Sequence, residues 1–157
     1  IDLDLRRPVL HMMFNEDKKD GITEYVTSDC NINIKKFDEY ISVITSGVKV
    51  PNPSIILESK KLSDVINSLK SDYDYVLIDC PPVTVSSDAK VITKLSDALV
   101  YVIAANKAKI SEVKKSIAEI NTDEANIIGV NVTLLKGSKK DKYYYSNYYT
   151  SEKREKW

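Results

Sequence analysis

The sequence is poor in the residues on which several enzyme classes depend. It contains two cysteines, Cys30 and Cys80, and a single histidine, His11. A disulfide scaffold and a zinc site built from cysteine and histidine are therefore excluded. No G-x-S-x-G segment occurs, which leaves little room for a Ser-His-Asp hydrolase. Two unpaired thiols are typical of a protein in a reducing compartment.

The chain also lacks long apolar runs, excess charge and glycine. Its longest apolar run, "ALVYVIAA", is far shorter than the ~20 residues that a membrane-spanning helix needs. The net charge is zero, which gives no reason to expect a nucleic-acid partner. Only four glycines occur, and no G-x-x-x-x-G-K-[ST] loop is present. The chain opens with Ile1 inside an apparent strand, so we expect it to be a fragment or otherwise incomplete.

What is present alternates between buried strands and amphipathic helices. Runs rich in valine and isoleucine predict strands at 40–46, 75–79, 98–105 and 126–132, with 1–3 as the stub of another. Helical spacing of apolar residues covers 54–72, where Ser54 is the predicted cap, and 110–121. A shorter helix is predicted over 89–95, capped by Ser87 or Asp88. This alternation predicts a doubly wound α/β fold, with a mainly parallel sheet flanked by helices.

The apolar periodicity stops at Lys136, and the remainder has a different character. Residues 136–157 contain seven Lys/Arg against three Asp/Glu, which gives the segment a charge of +4 and leaves −4 on the rest. Half of the ten tyrosines lie within seven positions here: Tyr143, Tyr144, Tyr145, Tyr148 and Tyr149. We therefore predict a folded domain over 1–135 and a flexible tyrosine-rich tail over 136–157.

Acidic residues stand where parallel sheets place their working groups, at the carboxyl ends of strands. Asp79 ends the strand 75–79, and a buried carboxylate there needs a cation or hydrogen-bond donors. A magnesium ion beside nucleotide phosphates supplies such a cation; a turn-capping aspartate is the alternative. Asp2 and Asp4 alternate along the opening strand and face one side. Their repulsion calls for a nearby cation or raises one pKa, as suits a general base. Arg6 adds positive charge next to them; an exposed charged strand end is the alternative.

These motifs together resemble a known family. "IDLDLRRP" resembles the Walker A′ motif of the bacterial protein-tyrosine kinases, or BY-kinases, which act in capsule and exopolysaccharide biosynthesis. "DYVLIDCPPV" resembles their Walker B segment, and "ITSGVKVPNPSIILESKKL" resembles a linking segment between the two motifs. The tail resembles the family's C-terminal tyrosine cluster. The resemblance runs over nearly all of the chain, in the family's order.

The resemblance implies a P-loop NTPase-like fold and a reaction that uses ATP and Mg²⁺. It places Asp2 and Asp4 beside Mg-ATP as catalytic residues, one of which deprotonates the incoming tyrosine. It assigns Asp79 and Arg6 to nucleotide binding, and Asp79 and Asp4 to magnesium, partly through water.

The resemblance also implies the partners. The five clustered tyrosines would be phosphoacceptors that one protomer offers to its neighbour in a homo-oligomeric ring. The activator would be a membrane-embedded polysaccharide co-polymerase, so the domain would be cytoplasmic and held at the inner face of the membrane.

One departure keeps other functions open. The phosphate-binding loop and its lysine would lie upstream of Ile1, so the chain is either truncated or a decayed or split copy. A P-loop ATPase of the partitioning or division-site type is one alternative. A non-catalytic regulatory module that keeps the fold and tail is the other.

Overall fold

The computed structural model describes residues 1–28, 30–84, 86–105, 107–121 and 126–133. The predicted tyrosine tail and the predicted domain boundary at 135 lie outside these residues. The described elements follow one another as α1 (Leu10–Met13), α2 (Ile22–Thr27), β1 (Lys35–Lys36), β2 (Ser42–Val43), α3 (Pro53–Leu57), α4 (Lys60–Asp72), α5 (Asp88–Thr93), β3 (Leu99–Ala104), α6 (Ile110–Asn121) and β4 (Ile127–Thr133).

Strands β3 and β4 form a parallel pair that helix α6 connects. Their register runs from Leu99 opposite Ile127 to Ala104 opposite Thr133. A parallel pair needs a long crossover, and α6 supplies it. This unit confirms the two strands and the helix that the sequence predicts over 98–132.

The opening residues lie between two other extended segments. The backbone N–H of Asp2 donates to the carbonyl oxygen of Ile44 over 3.0 Å, and that of Leu3 donates to the carbonyl oxygen of Asp79 over 2.9 Å. Asp2 and Asp79 form a parallel bridge. The strand predicted over 75–79 is reduced to this one bridge. Its other edge has no strand partner among the described residues, and the side chain of Leu77 is 80% exposed.

The strand predicted over 40–46 is also shorter than expected. Only β2 forms, and it pairs with β1 in an antiparallel hairpin in which Lys36 faces Ser42. The hairpin was not predicted, because the alternation of Asn and Ile over residues 31–34 is short and stops at Lys35 and Lys36, the two residues that form β1. Asp38 closes its turn by accepting hydrogen bonds from the backbone N–H groups of Tyr40 and Ile41.

The helix predicted over 54–72 is divided into α3 and α4. Helix α3 begins at Pro53, with Asn52 in the N-cap position, so the prediction that Ser54 caps the helix is wrong. Proline suits the first turn because its missing N–H would have no helical partner there. Ser59 caps α4, and its Oγ accepts the backbone N–H of Leu62 over 3.2 Å. Such a cap stabilises a helix by about 1 kcal/mol.

A single core holds the opening segment against the helices. Leu3 and Leu5 enter it from the segment that carries Asp2 and Asp4, so the apolar and acidic residues of this segment alternate as predicted. Full burial of one such side chain contributes about 1.5–3 kcal/mol. The buried apolar residues of this cluster are Leu3, Leu5, Ile22, Ile44, Ile56, Leu57, Leu62, Val65, Ile66, Leu69 and Ile92.

A glycine allows α2 to approach the chain after β2. The backbone N–H of Thr23 donates to the carbonyl oxygen of Ser46 over 3.0 Å. Gly47 follows with φ of 86°, a left-handed conformation that favours glycine. A Cβ atom at Gly47 would collide with the side chains of Thr23 and Glu24. The position therefore requires glycine for both its backbone angle and its lack of a side chain.

Candidate active site

Asp2 is fully buried and holds the start of α1. Its Oδ2 accepts the backbone N–H groups of Val9 and Leu10, both over 3.1 Å. Its Oδ1 is also buried and has no hydrogen-bond partner among the described residues. Burial raises the pKa of Asp2, and the negative charge of Asp4 adds to this effect against the opposing N–H bonds. One oxygen of this carboxylate is thus structural, and the other is left for a cation or a proton.

Asp4 holds the loop that follows it. Its Oδ1 accepts the backbone N–H of Arg6 over 3.2 Å and that of Arg7 over 2.9 Å. Aspartate side chains commonly fold a loop in this way, by binding N–H groups two and three residues ahead. The residue is only 4% exposed. The two acidic residues of the motif therefore shape their own loop while they present a concentrated negative charge.

Asp79 completes a group of three carboxylates. The parallel bridge places it beside Asp2 on the neighbouring segment. Burial, followed by the negative charges of Asp2 and Asp4, raises the pKa of Asp79 to about 6. The residue as a whole is nevertheless exposed to solvent, so the screening of these charges is substantial. The structure thus brings together the three acidic residues that the sequence singled out, and their individual roles remain predictions.

The three carboxylates are better suited to a magnesium ion that arrives with a nucleotide than to a metal ion held by protein side chains alone. Among the described residues, no three His, Cys, Asp or Glu side chains stand close enough to hold a metal ion. Magnesium, however, commonly takes only one or two carboxylates, with phosphate and water oxygens completing its shell. Asp79 and Asp4 are the residues that would hold it, and the unpartnered Oδ1 of Asp2 fits a site designed for positive charge.

Arg6 is the cation next to these carboxylates, and a buried aspartate binds it. The Nε atom of Arg6 lies 2.6 Å from Oδ2 of Asp88. This hydrogen bond raises the pKa of Arg6. Burial alone would raise the pKa of Asp88, but the hydrogen bond from Arg6 and other polar contacts bring it below its ordinary value. From sequence, Asp88 was predicted only as a possible helix cap. Its spacing of four residues from the buried Ile92, which places both on one helix face, was the signal that it is buried.

An apolar cavity of about 490 Å³ ends at Asp79. Leu10 and Phe14 of α1, Ile34, and Leu77 contribute to its walls. The described residues of this lining include no lysine or arginine side chain to bind a triphosphate, so we do not expect phosphates to bind in the cavity. Cys80, which follows Asp79, is partly buried, and burial raises its pKa to about 11, so its thiol is a poor nucleophile at neutral pH.

No described helix combines the length and apolarity needed to cross a membrane.

No protein-family model matches the chain. Curated proteins do match it. The tyrosine-protein kinase CpsD of Streptococcus pneumoniae is 32% identical over an alignment of 160 positions, which covers 94% of this chain and 68% of CpsD. The tyrosine-protein kinase YwqD of Bacillus subtilis is 28% identical over 148 residues, which cover 92% of this chain and 62% of YwqD.

A solved structure extends the likeness to three dimensions. The kinase domain of the Escherichia coli tyrosine kinase ETK superposes with a TM-score of 0.79 at 28% identity, covering 87% of this chain and 56% of that one. The fold and the acidic strand ends thus define an α/β protein of the P-loop NTPase class. The chain belongs to the bacterial tyrosine-protein kinase family, the BY-kinases. It spans less than two thirds of the length of YwqD.

Proposed function

We propose that the protein is an ATP-dependent protein-tyrosine kinase that phosphorylates its own C-terminal tyrosines in trans. Its relatives are named tyrosine-protein kinases. The observation that carries the proposal is the bridge between Asp2 and Asp79, which brings the carboxylates of two distant motifs together. A nucleotide-binding switch protein without kinase activity would not need the row of tyrosines from Tyr143 to Tyr149.

The reaction assigns a separate task to each group. The phenolic oxygen of a tyrosine attacks the γ-phosphorus of ATP, the bond to the β–γ bridging oxygen breaks, and ADP leaves. The phenolic proton passes to a carboxylate of the acidic group, for which Asp2 and Asp4 are the two candidates. Asp79 and Asp4 are the residues that would hold magnesium, and the ion would supply positive charge to the phosphates. Arg6 contributes positive charge beside the phosphoryl group.

Partners and location follow from the family and are part of the same proposal. A membrane-embedded polysaccharide co-polymerase activates the kinase at the inner face of the membrane, and the kinase regulates capsule or exopolysaccharide assembly. Protomers form a ring in which each tail reaches the neighbouring site. Phosphorylation adds about −1.5 to −2 charge per tyrosine. Several phosphotyrosines would therefore reverse the +4 charge of the tail and release it from an acidic site.

Labelling of the full-length protein with ATP and Mg²⁺, read by mass spectrometry of the C-terminal peptides, tests the activity. We expect phosphate on the tyrosines of 143–149 and its loss in Asp4→Asn and Asp79→Asn variants. Replacement of the exposed Asp74 by Asn is the matched control and should leave labelling unchanged. A wild-type protein that binds its activator but stays unlabelled would instead identify a non-catalytic regulatory module. Light scattering before and after labelling tests the ring, which should become smaller.

A further inference from the structure

Asp88 is a buried carboxylate to which the proposed reaction gives no role. It begins α5, and its exposed fraction is 2%. A carboxylate is rarely buried to this extent unless it is paired and hydrogen-bonded, because desolvation of the charge costs several kcal/mol. The contacts of Asp88 must therefore offset this loss of hydration.

Those contacts join three separate segments of the chain. Asp88 receives Nε of Arg6 on Oδ2 over 2.6 Å and Nη2 of Arg6 on Oδ1 over 3.4 Å, which makes a two-point fork. Its Oδ1 also accepts the hydroxyl of Ser54, in the first turn of α3, over 3.4 Å. The backbone N–H of Asp88 donates to Oγ of Ser86 over 3.1 Å. The loop that carries Arg6, helix α3 and the start of α5 thus meet at the side chain of Asp88.

Arg6 is held at both ends by these contacts. Its backbone N–H is bound by Asp4, and its guanidinium is bound by Asp88. The side chain remains 48% exposed, and its Nη1 donates no hydrogen bond to any residue that the structure describes. A guanidinium fixed in this way can offer Nη1 to a phosphoryl oxygen without losing further rotamer freedom.

We propose that Asp88 is a positioning residue, which holds the Arg6 guanidinium beside the acidic group and keeps it from collapsing onto those carboxylates. Besides Asp88, the negative charge that acts on Arg6 is Asp4, which already binds its backbone N–H. Without Asp88, an ion pair between Arg6 and Asp4 would occupy carboxylate oxygens that magnesium needs. This inference rests on the kinase function proposed above. It identifies a residue outside the Walker-like motifs that affects the rate of tyrosine phosphorylation.

Steady-state labelling of tyrosine by the full-length kinase tests the inference. We expect Asp88→Asn to lower kcat about 10- to 100-fold, the usual cost of losing an outer-shell partner, with the KM for ATP changed less than about threefold. The double variant Asp88→Asn/Arg6→Gln should be no slower than Arg6→Gln alone, because the two residues act as one unit. Asp97→Asn is the matched control: Asp97 forms an ion pair with Lys70 of the same 2.6 Å length, but on the surface. It should leave kcat unchanged.

A second variant guards against a folding defect in Asp88→Asn. Arg6→Lys keeps the positive charge but cannot both fill the fork and reach a phosphate, so kcat should fall at least tenfold in a protein that melts normally. Wild-type kcat in Arg6→Lys or in Asp88→Asn would overturn the positioning role while the kinase stands. Losses in the two single variants that multiply in the double variant would also overturn it. An unlabelled wild-type protein would overturn both proposals together.

Discussion

Removal of one charge from the acidic group should stabilise the fold in the absence of metal and nucleotide. The pKa of Asp79 is raised from 3.8 to about 6, so the folded protein binds a proton more tightly than the unfolded chain does. The ionised carboxylate is therefore unfavourable in the folded state. The penalty is absent below pH 3.8, grows between pH 3.8 and pH 6, and is complete above pH 6.

The magnitude follows from the pKa and the exposure of the group. A pKa displaced from 3.8 to about 6 corresponds to about 3 kcal/mol for a fully desolvated group. Asp79 is exposed, and solvent screening reduces this value to about 1 kcal/mol. Asp79→Asn should therefore increase the free energy of unfolding by about 1 kcal/mol at pH 7–8, and by nothing measurable near pH 4.

Urea unfolding in EDTA at a series of pH values measures this difference. Asp74→Asn, which removes a charge from an exposed position in the same loop, is the control and should show no such pH-dependent gain. A gain for Asp79→Asn that is equal at pH 4 and pH 8 would refute the argument that the ionised carboxylate is unfavourable in the folded state, because the gain would then not follow ionisation. A loss of stability at pH 8 would refute it as well.

Three further predictions concern the scaffold. Gly47→Ala should destabilise the protein by more than about 2 kcal/mol in urea unfolding, because alanine resists the positive φ and its Cβ meets α2. Ser59→Ala should cost about 1 kcal/mol, because the backbone N–H of Leu62 loses its cap, and an unchanged unfolding midpoint would contradict this. At pH 8 a disulfide reagent should modify the exposed Cys30 quickly and the partly buried Cys80 slowly; equal rates would show that Cys80 is not protected.

The acidic group also shows how structural and chemical roles share one side chain. Asp2 binds two backbone N–H groups through Oδ2 and leaves Oδ1 buried without a partner among the described residues. A buried carboxylate oxygen without a hydrogen bond lowers the stability of the fold. Such an atom calls for an explanation, and a ligand that contacts it when bound is one. The loop that presents the proposed site is therefore built by the residues proposed to act in it.

The sequence by itself determined the class of fold and the candidate acidic residues. Strands and helices differ in the spacing of their apolar residues and in their length. The unit from β3 to β4 could therefore be predicted from local pattern alone. The alternation in "IDLDL" predicted that Asp2 and Asp4 face one side of an extended segment, because side chains alternate along such a segment. The structure shows that Leu3 and Leu5, between and after them, are buried in the core. The order of motifs along the chain indicated the family.

Only the tertiary structure decided which distant residues meet. Two contacts join positions more than 75 residues apart: Asp2 pairs with Asp79, and Arg6 pairs with Asp88. No local pattern encodes such partners. The break between α3 and α4 could not be predicted either, because helical spacing of apolar residues continues through it, and only the cap formed by Ser59 marks the new helix. Periodicity records which face of an element is buried. Contacts between elements depend on how the buried faces pack, and that is settled by the whole chain at once.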